Sequence, residues 1–129
     1  MKRDPLPVLV AVNVLASLLH YGHNMLFFAS YPEPAWISTG RIDLFWFFMT
    51  PFALLGYHWH RKGARSKATV SLIAYGLMSS LVLGHYRYAS FSAIPFQIHL
   101  FIWVETLCAA ALMGYVLWLW FDGSARTAS

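Results

Sequence analysis

Hydrophobic residues are concentrated in four long stretches, and short polar segments separate them. The stretches cover about residues 7–29, 42–58, 68–86 and 96–121, of which the second is the shortest. A helix needs about 20 apolar residues to cross the hydrocarbon core of a bilayer. The short connections leave no room for a separate soluble domain. The pattern therefore predicts an all-α integral membrane protein, in which residues 1–129 form one antiparallel bundle of four transmembrane helices.

The composition narrows the class of protein further. Hydrophobic residues make up 59% of the chain and charged residues only 11%, which departs strongly from the mixture of a soluble domain. A single cysteine, Cys108, excludes a disulfide within the chain. The sequence contains no glycine-rich phosphate loop, no G-x-S-x-G motif and no C-x-x-C motif. We therefore expect a multi-pass protein of the lipid bilayer, without the motifs of common soluble enzymes.

The basic residues predict an orientation. Seven of the nine fall at one end of the predicted bundle: Lys2, Arg3, Arg61, Lys62, Arg65, Lys67 and Arg126. Lysine and arginine are enriched in cytoplasmic loops, so both termini and the connection 57–67 are predicted to be cytoplasmic. The net charge of +4 is then an insertion signal, and we expect no nucleic-acid partner because no basic soluble face exists.

Polar residues in the first stretch follow a helical line. Asn13, Ser17, His20 and Asn24 are separated by four, three and four positions, a spacing that places them on one face of a helix. Lipid cannot solvate that face, so it is predicted to point into the bundle. The third stretch carries a weaker stripe of the same kind, consisting of Ser71, Tyr75, Ser79 and Tyr86.

Ionisable residues gather toward the non-cytoplasmic half. They are His20, His23, Asp43, His85, His99 and Glu105. Such groups are costly at membrane depth unless they face a partner or a cavity. We therefore predict a pocket in that half of the bundle, with His99 toward its rim and Glu105 at its floor. Glu33, held between two prolines, and Trp36 are predicted to form the rim.

The preferred chemical interpretation is acid–base catalysis on a lipophilic small molecule, as in a membrane-embedded isomerase or lyase. A carboxylate in a dry pocket and a neighbouring histidine can exchange a proton with a bound substrate. The predicted catalytic residues are Glu105, His85, His20 and Asp43. The predicted ligand-binding residues are Asn24, His23, His99, Tyr86, Glu33 and Trp36. This interpretation requires no cofactor.

The same residues are compatible with other functions. His20, His23, His85 and His99 are candidate ligands for zinc, iron or copper. Two of these histidines on different helices are also candidate axial ligands for haem b in a small electron-transfer subunit. A structural role as an accessory subunit of a larger membrane complex is an alternative of another class. A homo-oligomer is also compatible with the aromatic and small-residue surfaces of the predicted helices.

Overall fold

The computed structural model describes residues 4–127, with side chains as far as Asp122, and this part of the chain is helical without a strand. The α-helices are α1 (Leu6–Leu26), α2 (Thr39–Arg61), α3 (Arg65–Ser79), α4 (His85–Tyr88) and α5 (Phe96–Thr127). A short 3-10 turn, Ser80–Gly84, joins α3 to α4. The segment Arg65–Tyr88 therefore continues as one helical unit of 24 residues.

Four long helical units pack as a ring of antiparallel neighbours. Helix α1 contacts α2 and α5, and α3 contacts the same two helices. We call the half that holds the start of α1, the end of α5 and the α2–α3 turn the bottom half, and the half that holds the loops 27–38 and 89–95 the top half. The all-helical architecture and the count of four main helices agree with the sequence prediction.

Three of the four units are long and apolar enough to cross a membrane: Leu6–Leu26, Arg65–Tyr88 and Phe96–Asp122. Helix α2 has sufficient length with 23 residues, but it is less apolar because polar residues occupy both of its ends. Two of the basic residues used to predict orientation, Lys2 and Arg3, lie outside the described residues, and so does the side chain of Arg126.

The bottom half contains the main hydrophobic core. Its buried members come from all four units: Leu6, Val10, Met49, Ala53, Leu72, Tyr75, Leu112 and Val116. Helices α2 and α3 approach closely here because Gly56 has no side chain. A Cβ atom on Gly56 would lie 2.6 Å from Leu72 Cγ, far inside ordinary van der Waals distance.

The top half contains a smaller apolar cluster. A second apolar cluster, formed by Tyr31, Val82, Ile94, Ile98 and Ile102, lies toward α5. Glycines here are not in close contact: a Cβ atom on Gly22 or Gly84 would meet nothing within 4 Å. This half also contains a cavity, which lies between α1, α2, α4 and the loop 27–38.

Candidate functional site

The predicted polar line of α1 faces the bundle interior. Asn13, Ser17, His20 and Asn24 are all buried, with at most 4% of each residue exposed. The intervening apolar residues Leu15, Leu18 and Leu19 are exposed instead. The helix therefore directs its polar face to the other helices and its apolar face outward.

His20 forms the central contact of the site with Glu105 on α5. His20 Nδ1 lies 2.7 Å from Glu105 Oε2, and both side chains are almost completely buried. The rings of Tyr31, His85 and Phe101 surround the imidazole, with centroids 5.5 to 6.3 Å away. Charged groups in such surroundings are stable only as a well-bonded pair, so the two residues act as one unit.

Ser79 and Asn13 continue this network away from His20. Ser79 Oγ lies 2.8 Å from Glu105 Oε1 and 3.2 Å from Asn13 Oδ1. A hydroxyl group has one hydrogen, so it can donate to only one of these acceptors at a time. When Glu105 is ionised, Ser79 donates its hydrogen to the carboxylate, which is the nearer of the two acceptors.

A cavity of about 410 Å³ lies beside His20 in the top half. Its walls are mainly apolar, with Ile37, Ile42, Phe45, Leu81 and Val82 among the lining residues. Its polar lining residues include His20, Asn24, Glu33, Arg41 and His85. Trp36 also lines the cavity and is 64% exposed.

The loop 27–38 brings Glu33 to the cavity wall. Asn24 Nδ2 donates to Glu33 Oε1 at 2.5 Å, and His85 Nδ1 lies 3.6 Å from the same oxygen. Burial raises the pKa of Glu33, although the hydrogen bond from Asn24 and the nearby His20 act in the opposite direction. Arg41 holds the adjoining part of this loop by donating from Nη1 to the carbonyl oxygen of Trp36.

Two buried polar atoms at the cavity have no hydrogen-bond partner among the side chains that the structure describes. They are His20 Nε2 and Asn24 Oδ1, and both residues belong to the cavity lining. A third such atom, Asn13 Nδ2, lies deeper along the same face of α1. Unpaired buried polar atoms cost about 1–3 kcal/mol each, so their concentration beside one cavity makes this region the candidate functional site.

Other predicted site residues are placed elsewhere. His99 Nε2 donates to the carbonyl oxygen of Phe91 at 3.0 Å, and Tyr86 donates its hydroxyl hydrogen to His99 Nδ1 at 2.8 Å. These contacts anchor the loop 89–95 to α5, outside the cavity lining. His23 Nδ1 lies 2.9 Å from the hydroxyl of Tyr31, so it supports the loop 27–38.

Asp43 and Glu105 also differ from their predicted positions. Asp43 is partly exposed and does not line the cavity. Glu105 is completely buried and lies behind His20, so it is not the floor of the cavity. It reaches the cavity only through the imidazole that it orients.

The donor set does not fit a resident metal or haem. Within residues 4–122, no three histidine, cysteine, aspartate or glutamate side chains are arranged to hold a metal ion. The rings of His20 and His85 have centroids 5.5 Å apart and are tilted by 49°, so no slot for a macrocycle separates them. His20 Nδ1 and both nitrogens of His99 already have protein partners.

Sequence reasoning missed the roles of Arg41 and Ser79. No local sequence pattern shows that Arg41 reaches a cavity wall. Ser79 belongs to the weaker stripe on the third stretch. Its position on that inward face was the available signal that it would contact a polar group on another helix.

No family model matches the sequence, and comparisons with curated proteins and with solved structures return no match.

Proposed function

We propose that the chain crosses a membrane four times, with both termini and the α2–α3 turn in the cytoplasm. Large apolar side chains are exposed on the outside of the bundle, among them Leu18, Phe47 and Leu107. Three units are apolar enough to span a bilayer alone. Packing of α2 between α1 and α3 supports its insertion in spite of its more polar ends, and the excess of basic residues at the bottom supports the orientation.

Cysteine labelling in intact cells tests this topology. In a Cys108→Ala background, Ser66→Cys reports on the bottom half and Ser92→Cys on the top half, and both positions are exposed. We expect a membrane-impermeant maleimide to label Ser92→Cys in intact cells and to label Ser66→Cys only after permeabilisation. Labelling of both positions before permeabilisation would contradict four crossings, and the reverse pattern would contradict the orientation.

We further propose that the cavity in the top half binds a lipophilic small molecule and that the site exchanges a proton with it. The single observation that carries this proposal is an ionisable pair, His20 and Glu105, buried against a cavity whose walls are otherwise mostly apolar. A volume of about 410 Å³ falls within the range of about 300–1,000 Å³ for small-molecule sites. Apolar walls favour an apolar ligand body, and the few polar groups orient it.

His20 is the residue that faces the ligand in this proposal. Its Nε2 is free of protein partners, so it can give or take a proton at the cavity. Glu105 is a positioning residue: its hydrogen bond fixes the imidazole ring and balances the charge that His20 acquires. Glu33 and His85 form a second acid–base pair in the cavity lining. His85 Nδ1 lies 3.6 Å from Glu33 Oε1.

Two measurements test the proposal: identification of the molecule that the purified protein carries, and exchange of the hydrogen atoms of that molecule with solvent. We expect mass spectrometry of the detergent-purified protein to detect a co-purifying apolar molecule. In deuterated buffer, the unaltered protein should catalyse deuterium incorporation into a C–H position of that molecule. Glu105→Gln should retain the molecule but slow incorporation by about 10²–10⁴-fold, the usual contribution of acid–base catalysis.

A matched control and two adverse outcomes define this test. Thr106→Val, on the next residue of α5, removes a hydroxyl group that bonds only to the carbonyl of Ile102 and should leave incorporation unchanged. A protein that neither carries nor takes up an apolar molecule would refute the binding proposal. Incorporation by Glu105→Gln at the unaltered rate would refute the role of the pair.

A further inference from the structure

We infer that the ligand presents a hydroxyl group to the cavity, which makes it a lipophilic alcohol or phenol. This inference rests on the proposed ligand site and specifies the class of molecule that fits it. It follows from the hydrogen-bonding character of two atoms, His20 Nε2 and Asn24 Oδ1, which are buried and without protein partners.

His20 Nε2 carries a hydrogen in both uncharged forms of the His20–Glu105 unit. If the shared proton lies on His20, the imidazolium has hydrogens on both nitrogens. If it lies on Glu105, then Nδ1 accepts from the carboxyl group and the hydrogen of the neutral imidazole is on Nε2. Only a unit with a net negative charge would leave Nε2 bare, and burial opposes an uncompensated charge. Nε2 is therefore a hydrogen-bond donor.

Asn24 Oδ1 is an acceptor. The amide orientation is determined by Glu33, because Asn24 Nδ2 donates to Glu33 Oε1 at 2.5 Å and the carboxyl oxygen accepts. The amide oxygen then has lone pairs and no hydrogen. Asn24 is only 4% exposed, so bulk water does not satisfy this oxygen.

The spacing of His20 and Asn24 lets the two atoms bind the same group. His20 and Asn24 are four residues apart on α1, a spacing at which helical side chains are neighbours, and both line the same cavity. A hydroxyl oxygen accepts from His20 Nε2–H while its hydrogen is donated to Asn24 Oδ1. A ketone or ether leaves Asn24 unsatisfied, an ammonium group cannot accept from His20, and a carboxylate cannot donate to Asn24.

A series of probes with one apolar chain separates these head groups. The probes are decanol, decyl methyl ether, decylamine and decanoate, each at the same mole fraction in the detergent micelle. Native mass spectrometry of the unaltered protein measures the bound fraction of each. We expect decanol to bind at least about tenfold more tightly than the other three, because each rival leaves a buried polar atom unpaired.

An Asn24→Leu variant shows whether the preference originates at the proposed atoms. We expect the preference for decanol over decyl methyl ether to fall by about tenfold in this variant, whereas Thr106→Val should keep it. The measurement on the unaltered protein does not depend on whether Asn24→Leu folds. Equal binding of alcohol and ether, a preference for amine or carboxylate, or an undiminished preference in Asn24→Leu would each overturn the hydroxyl inference alone. Failure of all four probes to bind would instead count against the ligand site itself.

Discussion

The two halves of the bundle bury different kinds of side chain. The bottom half is filled by apolar side chains in direct contact, such as Leu6, Met49 and Leu72. The top half buries a histidine, a glutamate and an asparagine next to a cavity, and some of their polar atoms are unpaired. Close packing stabilises a fold, whereas unpaired polar atoms beside a cavity reduce stability unless something binds there. The bottom half therefore contributes most of the packing that stabilises the fold, and the top half contains the candidate functional site.

The largest expected effect comes from breaking the buried pair of the top half. His20→Leu leaves Glu105 charged or unpaired in a dry environment, and the loss of one partner of a buried pair costs about 3–5 kcal/mol. His20→Leu combined with Glu105→Met should recover most of this loss, because apolar residues then replace the whole pair. Denaturation in detergent, followed by tryptophan fluorescence, measures the free energy of unfolding. A double variant as unstable as His20→Leu would show that the two residues are not coupled.

Sequence patterns anticipated part of this site for a clear physical reason. The line of polar residues on α1 is a local property of helical spacing, so its burial could be predicted without knowing the neighbouring helices. The partner of His20 could not be predicted in this way, because Glu105 is 85 residues away. Their contact depends on the relative position of α1 and α5 along their axes.

His99 is a second residue whose role the local sequence does not predict. In the sequence it resembles His20, since both are histidines near the same predicted membrane face. In the structure, His99 forms hydrogen bonds with the Tyr86 hydroxyl and the backbone of Phe91. These bonds hold the loop 89–95 against α5. The local sequence carries no information that separates a histidine with two protein partners from one with a free nitrogen.

Two glycine substitutions compare a close helix contact in the bottom half with an open position in the top half. Gly56→Ala in the bottom half would place a Cβ atom 2.6 Å from Leu72 Cγ. Overpacking costs about 1–3 kcal/mol and is offset by about 1 kcal/mol of helix propensity, so we expect a loss of up to about 2 kcal/mol. Gly22→Ala in the top half meets nothing within 4 Å and should gain up to about 1 kcal/mol. Melting temperatures that change in the same direction would contradict the contrast.

The pH dependence of stability should have opposite signs in the two halves. In the top half, burial raises the pKa of Glu33 above 4.5. The folded state then binds its proton more tightly than the unfolded state, so the contribution of Glu33 is complete below pH 4.5 and is lost as the pH rises through the higher folded value. We therefore expect the melting temperature of the unaltered protein to decrease as the pH rises above 4.5. Glu33→Gln should remove this decrease. The same decrease of melting temperature in Glu33→Gln would show that another group causes it.

The smallest effect is expected at Asp4 and His60, at the bottom end. His60 Nε2 lies 2.8 Å from Asp4 Oδ2, but the side chains are 31% and 45% exposed. Although burial acts to raise it, the pKa of Asp4 is lowered from 3.8 by hydrogen bonds from the Leu6 backbone and from His60. This contribution is present above pH 3.8 and is lost as the pH falls through the lower folded value. Because solvent screens such a pair, His60→Leu should cost no more than about 1 kcal/mol, and less at high salt. The pair resembles the His20–Glu105 pair in its atoms and distance, so equal losses from the two histidine substitutions would show that burial does not control the strength of these contacts.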